Sequence, residues 1–403
     1  MRGFQDRTDV ADVLALLDKR LRPLPAEEVN LHQAAGRVLA VDRVAPCAVP
    51  PFDRAAMDGY ALKGQESFGA GPYNPLELEV VGISLPGRPF PEQVQPGQAV
   101  RIMTGAPLPS GTDAVVPAEN AEELAEGTVR ITEAVPPGKN VGKRGEDVEP
   151  NTVVFRTGRF LRPQDVAVLA SLGLCPVPVI RKPTVIVLIT GDELLPCGSR
   201  PEGYRIVDTN SVMLEALVQK DGAICRISPI IPDQREAVRQ AVQGADADVL
   251  LISGGSSVGQ EDHAPRVLAE LGQLQVHGVA LRPASPTGLG FLGERPVFLL
   301  PGNPVSCLCA YDLFAGPAIR RLAGRSMQIL YRTCQLPLAR KIASAIGRVD
   351  YVRILIRDGK VEPLATSGAS ILSSTTRADG FVLVPRDSEG HAAGESVCIY
   401  LYD

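Results

Sequence analysis

Two kinds of hydrophobic pattern divide this chain. In its middle part, unbroken apolar runs end in glycine-containing turns. Val185-Ile-Val-Leu-Ile189 precedes Thr190-Gly191-Asp192-Glu193-Leu194, and Asp248-Val-Leu-Leu-Ile-Ser253 precedes Gly254-Gly255-Ser-Ser257-Val-Gly259-Gln-Glu-Asp262. Val297-Phe-Leu-Leu300 runs into Pro301-Gly302-Asn303-Pro304-Val-Ser306. Runs of this length match strands buried on both faces, and the glycines let the backbone turn sharply and approach a ligand. Between them, Val212 to Lys220 reads as a helix ended by Gly222, and Asp233-Gln-Arg-Glu236 as a capping-box start for a helix through Val242. Pro265 and Pro304 suit first helical turns, with Asp262 and Asn303 as possible caps. Strands alternating with helices predict a parallel sheet, and right-handed crossovers bring the three strand ends to one edge, where such sheets bind ligands. That edge collects Asp192, Glu193 and Asp262, with Asp208 and Asp233 nearby.

Outside this region the pattern changes. Thr8 can cap a helix carrying Val10, Val13, Leu14, Leu17 and Leu21, ending before Pro23. Prolines 46, 50 and 51 force extended backbone into Phe52-Asp-Arg-Ala-Ala-Met-Asp58-Gly-Tyr-Ala-Leu62, where Asp58-Gly59 is also a turn dipeptide. From about Leu62 to Lys139, short strands such as Leu76 to Ile83 and Gly127 to Ile131 read as an all-β insert containing the polar turn Arg101-Ile-Met-Thr104-Gly-Ala. Gly142-Lys-Arg-Gly-Glu146-Asp147 taken alone is a solvated charged loop. Pro163 to Leu172 reads as a helix stopped by Gly173. After Arg325, alternation in Tyr351 to Ile356 and Phe381 to Val384 predicts a small antiparallel β domain over 329–403.

Composition narrows the function. A length of 403 residues exceeds one core. A formal net charge of −5, from 41 basic and 46 acidic residues, gives no polycationic surface for nucleic acid or an anionic membrane, so a small-molecule partner is favoured. No signal-like or bilayer-length apolar run is present, and the chain reads as soluble and cytoplasmic. The eight cysteines are scattered without Cys-x-x-Cys and there are only four histidines, which points away from a disulfide framework or zinc site. Cys307 and Cys309 read as buried thiols.

Several carboxylates beside glycine loops at the mouth of an α/β sheet suit phosphate bound through Mg²⁺, a hard cation held by one or two carboxylates plus substrate phosphate. His263 is the only histidine near these loops, so no Ser-His-Asp or Cys-His arrangement can be drawn.

The motifs Phe52-Asp-x-x-Ala-Met-Asp-Gly-Tyr-Ala, Arg101-Ile-Met-Thr-Gly-Ala, Gly145-Glu-Asp, Thr190-Gly-Asp-Glu-Leu, Asp208-Thr-Asn, Ser253-Gly-Gly-x-Ser-Val-Gly and Leu300-Pro-Gly-Asn-Pro-Val-Ser stand in order. Together they resemble the molybdopterin molybdenumtransferase family, MoeA in bacteria and the E domain of gephyrin in animals, over nearly the whole chain. The resemblance implies a multidomain α/β plus β fold. Its parts would be an elongated linker domain (1–45 and 140–180), an inserted β domain (46–139), an α/β domain similar to molybdopterin adenylyltransferases (181–328) and a C-terminal β-barrel (329–403). It also implies a homodimer, Mg²⁺, and insertion of molybdate into adenylylated molybdopterin with release of AMP. Adenylyl transfer to molybdopterin and a peptide-binding scaffold role remain alternatives, and the adenylyltransferase itself is a possible partner.

Position by position, the resemblance implies catalytic roles for Asp58, Thr104, Glu193, Asp233 and Asp262, with Glu193 and Asp262 holding metal. Cofactor contacts are implied for Asp147, Gly191, Asp192, Asp208, Ser253, Gly254, Gly255, Ser257, Gly259, Arg282, Pro301, Gly302, Asn303 and Pro304. Ser373 and Ser374 lie in a Leu-Ser-Ser segment that also resembles the family. One departure stands out. Where the family usually carries Lys-Pro-Gly-x-Pro, this chain reads Arg282-Pro283-Ala284-Ser285-Pro286. Arg282 is then the motif's only cation, expected to bind the anionic substrate, and Ala284 would disfavour a backbone of positive φ.

Overall fold

The computed structural model describes residues 7–124, 127–255, 263–365 and 368–402. The fold has two compact units: one takes in residues 29–35 and 39–177, the other 1–28, 36–38 and 178–403.

In the first unit, the described residues form a six-stranded sheet from β1 (Gly59–Leu62), β2 (Leu76–Ser84), β3 (Gln98–Ile102), β4 (Ala114–Pro117), β5 (Ala121–Leu124) and β6 (Thr128–Ile131). Its order is β4-β1-β3-β2-β6-β5. The inward residues of alternating strands, among them Tyr60, Leu62, Leu78, Val116, Val129 and Ile131, make its core. Asp58-Gly59 does not turn a hairpin: Gly59 already pairs with Pro117 and Ile102 inside the sheet. A Cβ at Gly59 would stand 1.9 Å from the Val116 carbonyl oxygen, so only glycine lets β1 start here. A helix, α2 (Pro163–Ser171), ends as expected before Gly173 at φ +67°.

The second unit opens with α1 (Val10–Arg20). Asp9 rather than Thr8 stands at its N-cap, because the Thr8 backbone pairs with Val279 through Gly278 O and Ala280 N. Val13, Leu17 and Leu21 are buried in the same core as Val185 and Leu251, so α1 packs on the α/β layers. Burial of each such side chain contributes roughly 1.5–3 kcal/mol.

The α/β sheet contains β7 (Thr184–Ile189), β8 (Ile224–Ile227), β9 (Val249–Ser253), β10 (Gln273–His277), β12 (Gly288–Leu292) and β13 (Arg295–Leu300), with β11 (Leu281–Arg282) lying between β10 and β12 in the chain. The order is β8-β7-β9-β13-β12-β10. The β8, β7, β9 and β13 strands run parallel, and the last two pair antiparallel. Period-two alternation explains the unbroken apolar runs. Val249 and Leu251 point into one core with α3 (Asn210–Lys220), α6 (Pro304–Ala310) and α7 (Gly316–Leu322), while Leu250 and Ile252 point into the other, with α4 (Arg235–Gly244) and α5 (Ala264–Leu271). Gln234, not Asp233, is the N-cap of α4, and His263 that of α5.

The last module is built from β14 (Arg332–Pro337), β15 (Val349–Arg357), β16 (Lys360–Ala365), β17 (Gly380–Val384) and β18 (Ser396–Leu401). The path runs β11-β15-β17-β18-β14, with β16 on β15, and Leu338 just past β14 bridges to Val361 of β16, curling the sheet onto itself. Among the described residues no helix is long and apolar enough to cross a membrane.

Candidate functional site

Register fixes the site. Ile189 lies opposite Ser253 and Ser253 opposite Leu300, so β7, β9 and β13 end in one row and their glycine turns leave side by side. Gly254 sits at φ +100°, and a Cβ there would be 2.2 Å from the Thr190 carbonyl oxygen, so neighbouring turns touch backbone to backbone. Above the row opens a cleft of about 540 Å³ lined by Thr190, Glu193, Asp208, Asn210, Ser253, Gly254, Gly302, Asn303 and Pro304, with Ser370 and Leu372 from the C-terminal module. A second cavity of about 670 Å³ adjoins it, lined by Gly191, Asp192, Asp208, Ser211, residues 227–230 and Pro232. Volumes of this size match small-molecule sites.

The acids take different positions. Asp208, 7% exposed, accepts the backbone N–H groups of Asn210 at 2.9 Å and Ser211 at 3.1 Å on Oδ1, which caps α3 at the cleft wall. Asp192 and Asp233 are cross-linked: the Asp192 amide donates to Asp233 Oδ2 at 3.4 Å, and the Asp233 amide to Asp192 Oδ1 at 3.2 Å. That use of the Asp233 carboxylate explains why it does not cap α4. Burial raises the Asp233 pKa and the Glu193 and Asp192 charges push it further, against the Asp192 amide and the Thr190 hydroxyl. Glu193 is exposed on the cleft wall.

Asp262, Ser257 and Gly259 lie outside the described residues, and among the described residues no group of three or more His, Cys, Asp or Glu side chains is arranged around a metal position. The donor set present still suits Mg²⁺. The Glu193 and Asp192 charges that raise the proton affinity of Asp233 are ones a hard dication would relieve, and Mg²⁺ commonly takes only one or two carboxylates.

Ser253 is 2% exposed and its Oγ accepts from Asn210 Nδ2 at 2.9 Å, so its hydroxyl serves the interior while Gly254 and the half-buried Gly255 carry the turn. The Cys307 thiol beneath is pushed up to about 12 by burial, as expected of an inert buried sulfur. Pro301 is buried; Asn303 begins α6 as its N-cap, followed by Pro304. Ser374 is buried and donates its hydroxyl to Ile371 O at 2.6 Å, while Ser373 is exposed. Sequence reading missed Asn210, although it stands inside the Asp208-Thr-Asn motif, and missed Ser370.

Arg282, read as an anion binder, is not among the cleft-lining residues. Its guanidinium pairs with the carboxylate of Asp350, which is fully buried on β15 and also takes Ser344 Oγ at 2.7 Å and Arg348 Nε at 3.1 Å. Ala284 is 2% exposed and holds φ +97°, the glycine conformation, despite its Cβ.

In the other unit, Thr104 donates its backbone N–H and its hydroxyl to Asp58 Oδ1, each at 2.7 Å. Both bonds lower the Asp58 pKa, the backbone one most. Asp147 is exposed, and its amide donates to Val49 O at 3.1 Å. Neighbouring Lys143 and Glu146 pair with Asp53 and Arg54, so the Phe52 and Gly142 motifs adjoin in space.

Comparison with known proteins covers three regions of the chain. Residues 8–173 match the model of the MoeA N-terminal region (domains I and II), 186–321 a probable molybdopterin binding domain, and 335–402 the MoeA C-terminal region (domain IV). The molybdopterin molybdenumtransferase of Haemophilus influenzae is 33% identical over 95% of this chain and 96% of its own. Molybdopterin molybdenumtransferase 2 of Mycobacterium tuberculosis is 34% identical over 99% of both. The crystal structure of the molybdopterin biosynthesis MoeA protein from Pyrococcus horikoshii OT3 superposes with a TM-score of 0.81 at 35% identity, covering 98% of this chain and 100% of that one. With its three regions matched in order and its relatives aligned end to end, the chain belongs to the MoeA family.

Proposed function

We propose that this chain acts in molybdenum cofactor biosynthesis as a molybdopterin molybdenumtransferase, joining molybdate to the dithiolene sulfurs of adenylylated molybdopterin and releasing AMP. The observation that carries this reading is the row of strand ends at Ile189, Ser253 and Leu300 opening into one acid-walled cleft of about 540 Å³. Full-length relatives bear the same name.

In this reading the glycine turns bring backbone close to the pterin nucleotide, and Asn303 with Pro304 starts a helix whose N-terminus faces negative charge. Glu193 and Asp262 would hold Mg²⁺. The ion, when bound, neutralises phosphate charge as AMP departs. Asp58 and Thr104 orient the oxyanion or the leaving phosphate: the doubly hydrogen-bonded Asp58 stays ionised, and the pair keeps one fixed geometry. Asp147 belongs to the same binding set. The working assembly is a cytoplasmic homodimer in which the insert of one copy completes the cleft of the other, and the four-part division given by the sequence describes its domains. The adenylyltransferase that makes the substrate is a natural partner.

Anaerobic incubation with adenylylated molybdopterin, molybdate and Mg²⁺ should release AMP in proportion to molybdate consumed. ATP consumption with free molybdopterin, and no molybdate-dependent AMP, would assign adenylyl transfer instead.

A further inference from the structure

A single carboxamide holds the floor of the cleft. Asn210, the first residue of α3, is 6% exposed and lines the cleft. Its Nδ2 donates to Ser253 Oγ at 2.9 Å and to the Gly302 carbonyl at 2.8 Å. A carbonyl only accepts, so the group facing Gly302 must be the NH₂, which fixes the orientation of the side chain.

The position matters because the parallel ladder stops here. Ser253 and Leu300 are the last paired residues of β9 and β13. One residue on, the Gly254 amide reaches Leu300 O only at 3.4 Å, a long bond. Beyond that row Asn210 ties the end of β9 to the turn after β13. Asn210 is itself fixed, since Asp208 Oδ1 receives its amide at 2.9 Å and that of Ser211 at 3.1 Å. Asp208, α3, the Gly254 turn and the Gly302 turn are thus linked through one side chain.

We propose that Asn210 is the positioning residue of the cleft, setting the spacing between the Gly254-Gly255 turn and the Pro301–Pro304 turn so that both meet the same ligand. The identity of that ligand, a pterin nucleotide, rests on the function proposed above; the clamp does not. Asn210 touches no reacting atom in this account. It acts through Ser253 and Gly302.

Asn210→Ala and Ser253→Ala in the full-length chain test it by three readouts: amide hydrogen exchange, the AMP dissociation constant by calorimetry, and thermal unfolding. Asn210→Ala should raise exchange in the peptides containing Gly254 and Gly302 together, leaving the β insert and the C-terminal barrel unchanged. Well below its unfolding temperature it should weaken AMP by roughly 30-fold, the equivalent of two neutral hydrogen bonds of about 1 kcal/mol each. Ser253→Ala, which removes one of the two bonds, should show smaller changes of the same kind, and the double variant should bind AMP no more weakly than Asn210→Ala. Should Asn210→Ala fail to fold, Ser253→Ala alone must raise exchange at both turns. Faster exchange at one turn only, at neither, or throughout the α/β layers overturns the clamp. Unchanged AMP affinity in a folded Asn210→Ala chain overturns the positioning role. If the unaltered chain does not bind AMP, the proposed function fails, while the exchange pattern still decides whether Asn210 is the clamp.

Discussion

Thr104 gives both of its donors to one oxygen of Asp58, at 2.7 Å each, although the two residues lie in motifs 46 positions apart. Both residues are exposed, so little packing depends on them. Asp58→Asn and Thr104→Val should therefore lower kcat/KM for molybdate-dependent AMP release by more than about tenfold while moving the unfolding temperature only within the range of a surface change. Equal activity in both variants would leave the pair as a turn device.

Asp233 carries a linkage that can be measured. Its folded pKa is raised by burial and by Glu193 and Asp192, so protons compete with a cation at this edge above the ordinary carboxylate range. Mg²⁺ binding should tighten, with proton release, as pH rises above the ordinary aspartate range, and Asp233→Asn should flatten that dependence. Titration calorimetry in buffers of different ionisation enthalpy checks it; a flat profile in the unaltered chain would contradict it.

The parallel core and its mouth were legible because apolar runs such as Val249 to Ile252 have few alternatives, and because each ends in glycine. Pairings that depend on tertiary contact were not. Thr8 and Asp233 both looked like caps from local spacing, yet Thr8 is taken by Val279 and Asp233 by the Asp192 amide. Arg282 read as the motif's only cation and an anion binder, since nothing in its neighbourhood of the sequence announces Asp350, 68 positions away. Asn210 was inside a quoted motif, but its value comes from facing Ser253 and Gly302 at once, which only the strand register creates.

Ala284 holds a left-handed backbone at φ +97° in a buried position. An L-residue there is strained by roughly 1–2 kcal/mol, partly offset in glycine by the greater freedom of the unfolded chain. Ala284→Gly should raise stability by about 1 kcal/mol, seen as a higher denaturation midpoint. A lower midpoint would mean that the methyl's packing outweighs the strain.

Asp312 joins the α/β layers to the barrel. It accepts Tyr331 OH at 3.0 Å and Tyr351 OH at 2.9 Å, and Tyr351 in turn contacts Tyr402 OH at 2.7 Å. Burial lifts its pKa to about 7, with Asp221 adding to it and the two phenols and Arg320 opposing. A folded pKa raised above the unfolded value means stability present below about pH 4 and lost as pH rises through 7. Asp312→Asn, which resembles the protonated acid, should remove that slope. Denaturant midpoints measured from pH 5 to 8 check it, and equal slopes would refute it.

The central claim places the nucleotide of the substrate at the row formed by Ile189, Ser253 and Leu300. A crystal of this chain soaked with AMP and Mg²⁺ tests it most directly. AMP should lie in the cleft, in contact with the Gly254 and Gly302 turns, with the ion against Glu193; AMP bound away from these turns, with the cleft unaltered, would contradict the proposed function.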